Sequence, residues 1–129
     1  MGIRGVGVDI VGVSRFERLL ERHGERFVAK ICRPGEERLK SPSQRAQHLA
    51  GLFAAKEAVL KALGTGWDKG LAFRQVEVTH LPGGRPEIRL HDAAAELMNK
   101  LGGLRMHVSI THDDGIAAAI AVLEGGQES

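Results

Sequence analysis

Apolar and polar positions follow two periods along this chain. Ile3 to Val13 interleaves Val and Ile with Gly5 and Gly7 and reads as a strand, apolar or glycine on both faces until Asp9. Ser14 through Glu17 matches a capping box and starts a helix. Gly24 ends or breaks that helix, and Glu25 to Ile31 resumes helical character. Pro34-Gly35 is a turn or a helix start, and Ser41-Pro42-Ser43 is a loop with Ser43 as the next N-cap. The longest helix is expected at about Gln44 to Leu63, where Leu49, Leu52, Phe53, Lys56, Val59, Leu60 and Leu63 recur at helical spacing. Gly64-Thr65-Gly66 stops it.

Period-2 alternation returns in Gln75 to Leu81 and in Glu87 to His91, with Pro82-Gly83-Gly84 turning between them, so this stretch is a hairpin. Asp92 caps a short helix through Leu101, closed by Gly102-Gly103. Met106 to His112 is a strand, Asp113-Asp114-Gly115 a turn, and Ile116 to Leu123 the last strand, with a frayed tail from Gly125 to Ser129. The fold class is α+β, an antiparallel sheet packed by helices with one long central helix.

Composition narrows the function classes. A chain of 129 residues makes one domain, 1–129, with enough length for its own core. Lys and Arg total 18 against 16 Asp and Glu, and a net charge of +2 is too small to argue for nucleic acid. Four Phe, one Trp and no Tyr leave few platforms for stacking bases. Cys32 is the single cysteine, so no disulfide framework or CxxC site forms within the chain, which fits a reducing cytoplasm. No signal peptide or membrane span is expected.

Some motifs fail. Gly5-Val6-Gly7 and Gly64-Thr65-Gly66 are not dinucleotide loops, because neither follows a strand and opens a helix. No Walker loop and no HxxxH pair occur, and His107 and His112 fall on opposite faces of a strand, which argues against zinc. No G-x-S-x-G elbow supports a serine nucleophile.

Three features survive. Asp9 is a carboxylate in an apolar strand, costly to bury unless it is paired or holds a cation; the alternative is an edge-strand Asp in solvent. Lys56-Glu57-Ala58-Val59-Leu60-Lys61 puts polar groups on a helix that is apolar on most sides; the alternative is an ordinary Glu–Lys pair at i,i+4. Arg15, Arg18, Arg22, Arg26, Lys30 and Arg33 lie on one face if the two helical pieces are collinear, which suits an acidic partner. The alternative is a solvated helix with internal Glu–Arg pairs, favoured by a break at Gly24.

Together these residues resemble holo-acyl-carrier-protein synthase, the small bacterial branch of the 4'-phosphopantetheinyl transferases. The matching pieces are Gly5 through Val11, Phe53 through Gly66, Gly84-Arg85-Pro86 and Val108 through His112, in the family's order across nearly the whole chain. The resemblance implies a 4'-phosphopantetheinyl transferase-like fold. It implies transfer of phosphopantetheine from coenzyme A to a serine of apo-acyl carrier protein, Mg²⁺ as cofactor, release of adenosine 3',5'-bisphosphate, and a place in fatty acid biosynthesis. It further implies a cytoplasmic homotrimer with active sites between subunits.

By motif match, Asp9 and Glu57 are the expected metal ligands, and Asp9, Glu57 and Lys61 the expected catalytic set. Lys61, Gly64, Thr65, Gly66, Gly84, Arg85, Pro86 and His112 are expected around coenzyme A, and Arg15, Arg18 and Arg22 against the carrier protein. The chemistry agrees, since Mg²⁺ is well served by two carboxylates when the substrate brings a pyrophosphate, and Lys61 adds a positive donor. Glu57, or water beside the ion, is the candidate acceptor of the serine proton.

One departure stands out. Many members carry an Arg linked to the 3'-phosphate just before the Phe-Ala-Ala-Lys-Glu segment, where this chain has Leu52. Either His112 and other bases then carry that load, or affinity for the 3'-phosphate is lower. Two rival functions remain, a basic nucleic-acid-binding module and a Mg²⁺-dependent hydrolase of coenzyme A or a nucleotide.

Overall fold

A computed structural model describes residues 2–38, 41–64 and 71–126. Along the chain come β1 (Gly2–Gly12), α1 (Val13–His23), α2 (Glu25–Ile31) and α3 (Pro42–Ala62). A 3₁₀ turn at Phe73–Gln75 leads into β2 (Val76–His80) and β3 (Pro86–Leu90), followed by α4 (Asp92–Lys100), β4 (Gly103–Asp113) and β5 (Ile116–Gly125). β1, β5 and β4 form a three-stranded antiparallel sheet in that order, and β2 pairs with β3 as a separate hairpin. The α+β reading, with one long helix against an antiparallel sheet, holds.

The core follows from side-chain size. β5 turns Ala117, Ala119, Ala121 and Leu123 inward, all buried, and α3 lies over them. α3 therefore covers these small residues. β1 comes closer still. A Cβ at Gly5 would stand 1.9 Å from the Ala62 carbonyl oxygen, and one at Gly7 1.9 Å from that of Ala58. Only glycine lets a strand and a helix backbone meet this closely. The opposite face of the sheet stays apolar and open, with Val8 at 61% and Ile10 at 67% exposure beside Val6 and Ile120.

Several local expectations are corrected. α1 begins at Val13 with Gly12 as N-cap and no side-chain capping bond, so the Ser14–Glu17 box does not form; instead the Val13 N–H donates to the Gly115 carbonyl at 2.8 Å. α3 begins at Pro42, where a missing N–H costs nothing, and Ser41 rather than Ser43 is its cap position. The cap of α4 is supplied from outside, by Gln75 Oε1 accepting from the Ala94 N–H at 3.0 Å, and not by Asp92. Gly24 leaves helical geometry at φ 55° and ψ −133°, so α1 and α2 are not one rod and the basic stripe is split. The tail starts later than Gly125, which ends β5, and the Gly126 N–H donates to the Gly102 carbonyl at 2.9 Å.

Candidate functional site

Gly5, Gly7 and Asp9 share one face of β1, the face turned to α3. The close approach at the two glycines carries Asp9 against the same helix. Glu57 and Lys61, one turn apart, share a face of that helix. Lys61 Nζ donates to the Val8 carbonyl at 3.0 Å and to Asp9 Oδ1 at 3.1 Å. The Asp9 side chain is only 15% exposed, and its Oδ2 is buried with no hydrogen-bond partner. Burial raises the Glu57 carboxyl above its ordinary value, and the Asp9 charge raises it further, against the pull of Lys61 and Arg15. The Asp9 charge thus acts on an acid 48 residues away in the sequence, in one half-buried place.

That arrangement suits a divalent cation. It offers an unpartnered buried carboxylate oxygen, a second carboxylate resisting ionisation because of burial and the Asp9 charge, and few protein ligands. Among the described residues no group of three or more His, Cys, Asp or Glu gathers; two carboxylates alone can serve Mg²⁺ where a substrate adds phosphate oxygens and water the rest.

Lys56, the neighbour of Glu57, points the other way. Its Nζ is fully buried, 2.6 Å from Glu36 Oε2, and donates to the Phe73 and Val76 carbonyls at 3.1 and 2.5 Å. Glu36 in turn accepts from the Val78 and Arg33 N–H groups at 2.8 and 2.9 Å. Burial pushes the Lys56 ammonium below the usual lysine value, opposed by Glu36. This pair is a strut between α3 and the hairpin.

His112, Gly84 and Pro86 meet elsewhere, around a cavity of about 340 Å³ at the N-terminal part of α3. His112 Nε2 lies 3.3 Å from Gln47 Nε2. Gln47 and Glu57 are ten residues apart on the helix, about 15 Å at 1.5 Å per residue. One copy of the chain therefore holds these two groups of residues apart. Arg85 lines the adjoining groove of about 550 Å³ with Pro86 and Ile88. Gly64 lies exposed just past α3 with φ 80°, and Thr65 and Gly66 lie outside the described residues.

Arg15, Arg18 and Arg22 are exposed on α1. Arg15 differs from the other two: its guanidinium lies over the Phe53 ring, 5.6 Å from the centroid, and its charge reaches Glu57. The sequence reading placed it only with the basic stripe. It also missed Glu36, Gln47, His48 and His80. Glu36 reaches Lys56, His48 reaches Arg38 and Gln47 reaches His112 across 10 to 65 residues of sequence, and no local spacing signals such contacts.

Residues 5–121 match the family model of the 4'-phosphopantetheinyl transferase superfamily. The holo-[acyl-carrier-protein] synthase of Solidesulfovibrio magneticus is 47% identical over 123 residues, covering 95% of this chain and 99% of that protein. The solved holo-[acyl-carrier-protein] synthase of Neisseria meningitidis superposes with a TM-score of 0.85 at 32% identity, over 95% of this chain and 99% of its own. That of Helicobacter pylori, solved in complex with coenzyme A, gives 0.81 at 33% identity, over 92% and 99%.

Proposed function

Because the chain belongs to the 4'-phosphopantetheinyl transferase superfamily, we propose that it transfers 4'-phosphopantetheine from coenzyme A to a serine of apo-acyl carrier protein, as a single domain over residues 1–129 in the cytoplasm, for fatty acid biosynthesis. The observation that carries this reading is the meeting of Asp9, Glu57 and Lys61, with one Asp9 oxygen buried and unpartnered.

Asp9 and Glu57 would hold Mg²⁺ against the pyrophosphate of coenzyme A. Bound there, the ion supplies positive charge to the phosphate oxygens. Lys61, already directed at Asp9, is near enough to turn toward the same phosphates. The serine hydroxyl oxygen forms a bond to the phosphorus that bears pantetheine, and the bond from that phosphorus to adenosine 3',5'-bisphosphate breaks. Glu57, or water beside the ion, accepts the hydroxyl proton. The nucleophile belongs to the carrier, and this fits a chain whose one cysteine, Cys32, has its thiol pushed up to about 12 by burial and the nearby Glu36 charge.

His112, Gly84, Arg85 and Pro86 would receive the nucleotide together with Gly64, Thr65 and Gly66. Arg15, Arg18 and Arg22 would face the carrier. The roughly 15 Å between the two groups of residues along α3 and the open apolar face at Val6, Val8, Ile10 and Ile120 support a homotrimer with each active site between subunits. No helix among the described residues is long and apolar enough to cross a membrane.

Intact-mass analysis with apo-acyl carrier protein, coenzyme A and Mg²⁺ tests the reading. The carrier should gain the mass of one phosphopantetheine group, and Glu57→Gln should slow this by about 100-fold or more. Product release without a carrier would point to a hydrolase, and retention on DNA independent of Asp9 and Glu57 to a nucleic-acid module.

A further inference from the structure

Resting on that reading, we propose that the buried Lys56–Glu36 pair is a positioning device for the carrier-facing side of the site: through the Phe73 carbonyl it seats the Phe73 ring against Phe53, the ring over which the Arg15 guanidinium lies. An ammonium has three hydrogens, and Lys56 Nζ directs them at Glu36 Oε2 at 2.6 Å and at the Phe73 and Val76 carbonyls at 3.1 and 2.5 Å. Lys56 therefore acts on the site through its neighbours.

A row of rings connects the pair to α1. Phe73 lies 5.0 Å from Phe53, Phe53 5.2 Å from Phe16, and Phe16 5.6 Å from Phe27, so all four phenylalanines of the chain join in one row. Phe53 stands one turn before Glu57 on α3 and has the Arg15 guanidinium 5.6 Å from its centroid. Aromatic contacts depend on ring angle and offset, and a cation over a ring follows that ring. Phe16 is fully buried, so the core fixes that end of the row. The other end, Phe73, is half-buried in a three-residue 3₁₀ turn whose carbonyl Lys56 holds.

Position is a better account of this pair than stability. Removing both charges from water offsets most of their attraction, and a well-packed apolar pair often stabilises a fold as well. An apolar pair cannot hold two carbonyls and two N–H groups at once. Glu36 accepts from the Arg33 and Val78 N–H groups while Lys56 donates to Phe73 and Val76, so the connection from α2 to α3, the 3₁₀ turn and β2 are tied to one point on α3. β2 has other anchors: Val76 and Val78 are buried in the core, and Gln75 Oε1 accepts from the Ala94 N–H beside its base. Loss of the pair therefore falls on the Phe73 turn more than on the hairpin that carries Gly84, Arg85 and Pro86.

The test replaces the charges with a neutral pair of similar size, Lys56→Met with Glu36→Gln, which leaves neither partner as an unpaired buried charge. The KM for apo-acyl carrier protein should rise about 10-fold, as for a small misplacement of a docking group, with the KM for coenzyme A unchanged. Phe73→Leu keeps the pair and removes the ring; it should raise the same KM and keeps the test available if the double variant does not fold. Fluorine NMR of the full chain labelled with para-fluorophenylalanine reads the rings independently of transfer, and the Phe53 signal should shift in both variants. A lower kcat with an unchanged carrier KM, equal rises in both KM values, or an unmoved Phe53 signal overturns the proposal, while transfer by the native chain still upholds the transferase reading. A native chain that transfers nothing, with the Phe53 signal shifting as expected in the variants, sinks the transferase reading alone.

Discussion

The Lys56 ammonium lies 2.6 Å from the Glu36 carboxylate with both side chains fully buried, while the next residue, Glu57, turns to the opposite environment beside Asp9. Consecutive residues on a helix differ by about 100° in direction, so one turn of α3 serves both the strut and the acid pair. Lys56→Met would leave the Glu36 carboxylate buried without its counter-charge. The expected loss is about 3–5 kcal/mol in urea unfolding at neutral pH. A loss below about 1 kcal/mol would mean that water reaches Glu36 once the lysine is gone.

Gly7 decides how close β1 comes to α3. A Cβ there would overlap the Ala58 carbonyl oxygen at 1.9 Å, so Gly7→Ala must push the strand off the helix. Stability should fall by about 1–3 kcal/mol, and transfer activity should fall in the protein that remains folded, because Asp9 moves with the strand. Thermal unfolding and the intact-mass assay measure the two effects side by side. Unchanged activity in a folded Gly7→Ala protein would contradict the link between this contact and the site.

Arg15 and Arg18 should behave differently although both are exposed on α1. Arg18→Glu is expected to raise the KM for the carrier by about 10-fold, leaving the KM for coenzyme A in place. Arg15→Glu should raise the carrier KM and also lower kcat, since Arg15 lies over Phe53 and its charge reaches Glu57. Identical kinetic profiles for the two variants would remove the distinction.

Cys32 is buried, and its raised thiol pKa, about 12, means that the folded protein holds this proton more tightly than the unfolded chain does. Its contribution to stability is therefore full below the ordinary thiol value near 8.5 and declines as pH rises above it, by up to about 1.4 kcal/mol per pH unit. Cys32→Ala should flatten the fall in Tm between pH 8.5 and 10. In the native protein at pH 8 a disulfide reagent should label Cys32 about 100-fold more slowly than in urea. Rapid native labelling would show that the thiol is open to solvent.

Much of the fold was legible because it is written in short-range periods. The Val and Ile run around Gly5 and Gly7, the apolar rows of Leu49 to Leu63 and the Pro82-Gly83-Gly84 turn each name an element without reference to anything distant. Boundaries were less legible. The start of α1 is set by the Gly115 carbonyl and that of α4 by the Gln75 side chain, partners supplied by other parts of the fold.

The sequence by itself determined the order of strands and helices, the family, and the two acids worth watching, because residue type and spacing act locally. The tertiary structure decided the rest. It placed Asp9 against Lys61 through the contact of two glycines with a helix backbone. It sent Lys56 inward to Glu36, split the basic stripe at Gly24, and gathered His48, His80 and His112 around one cavity. Periodicity tells which residues share a face, but which surface that face meets depends on packing between segments far apart in the chain.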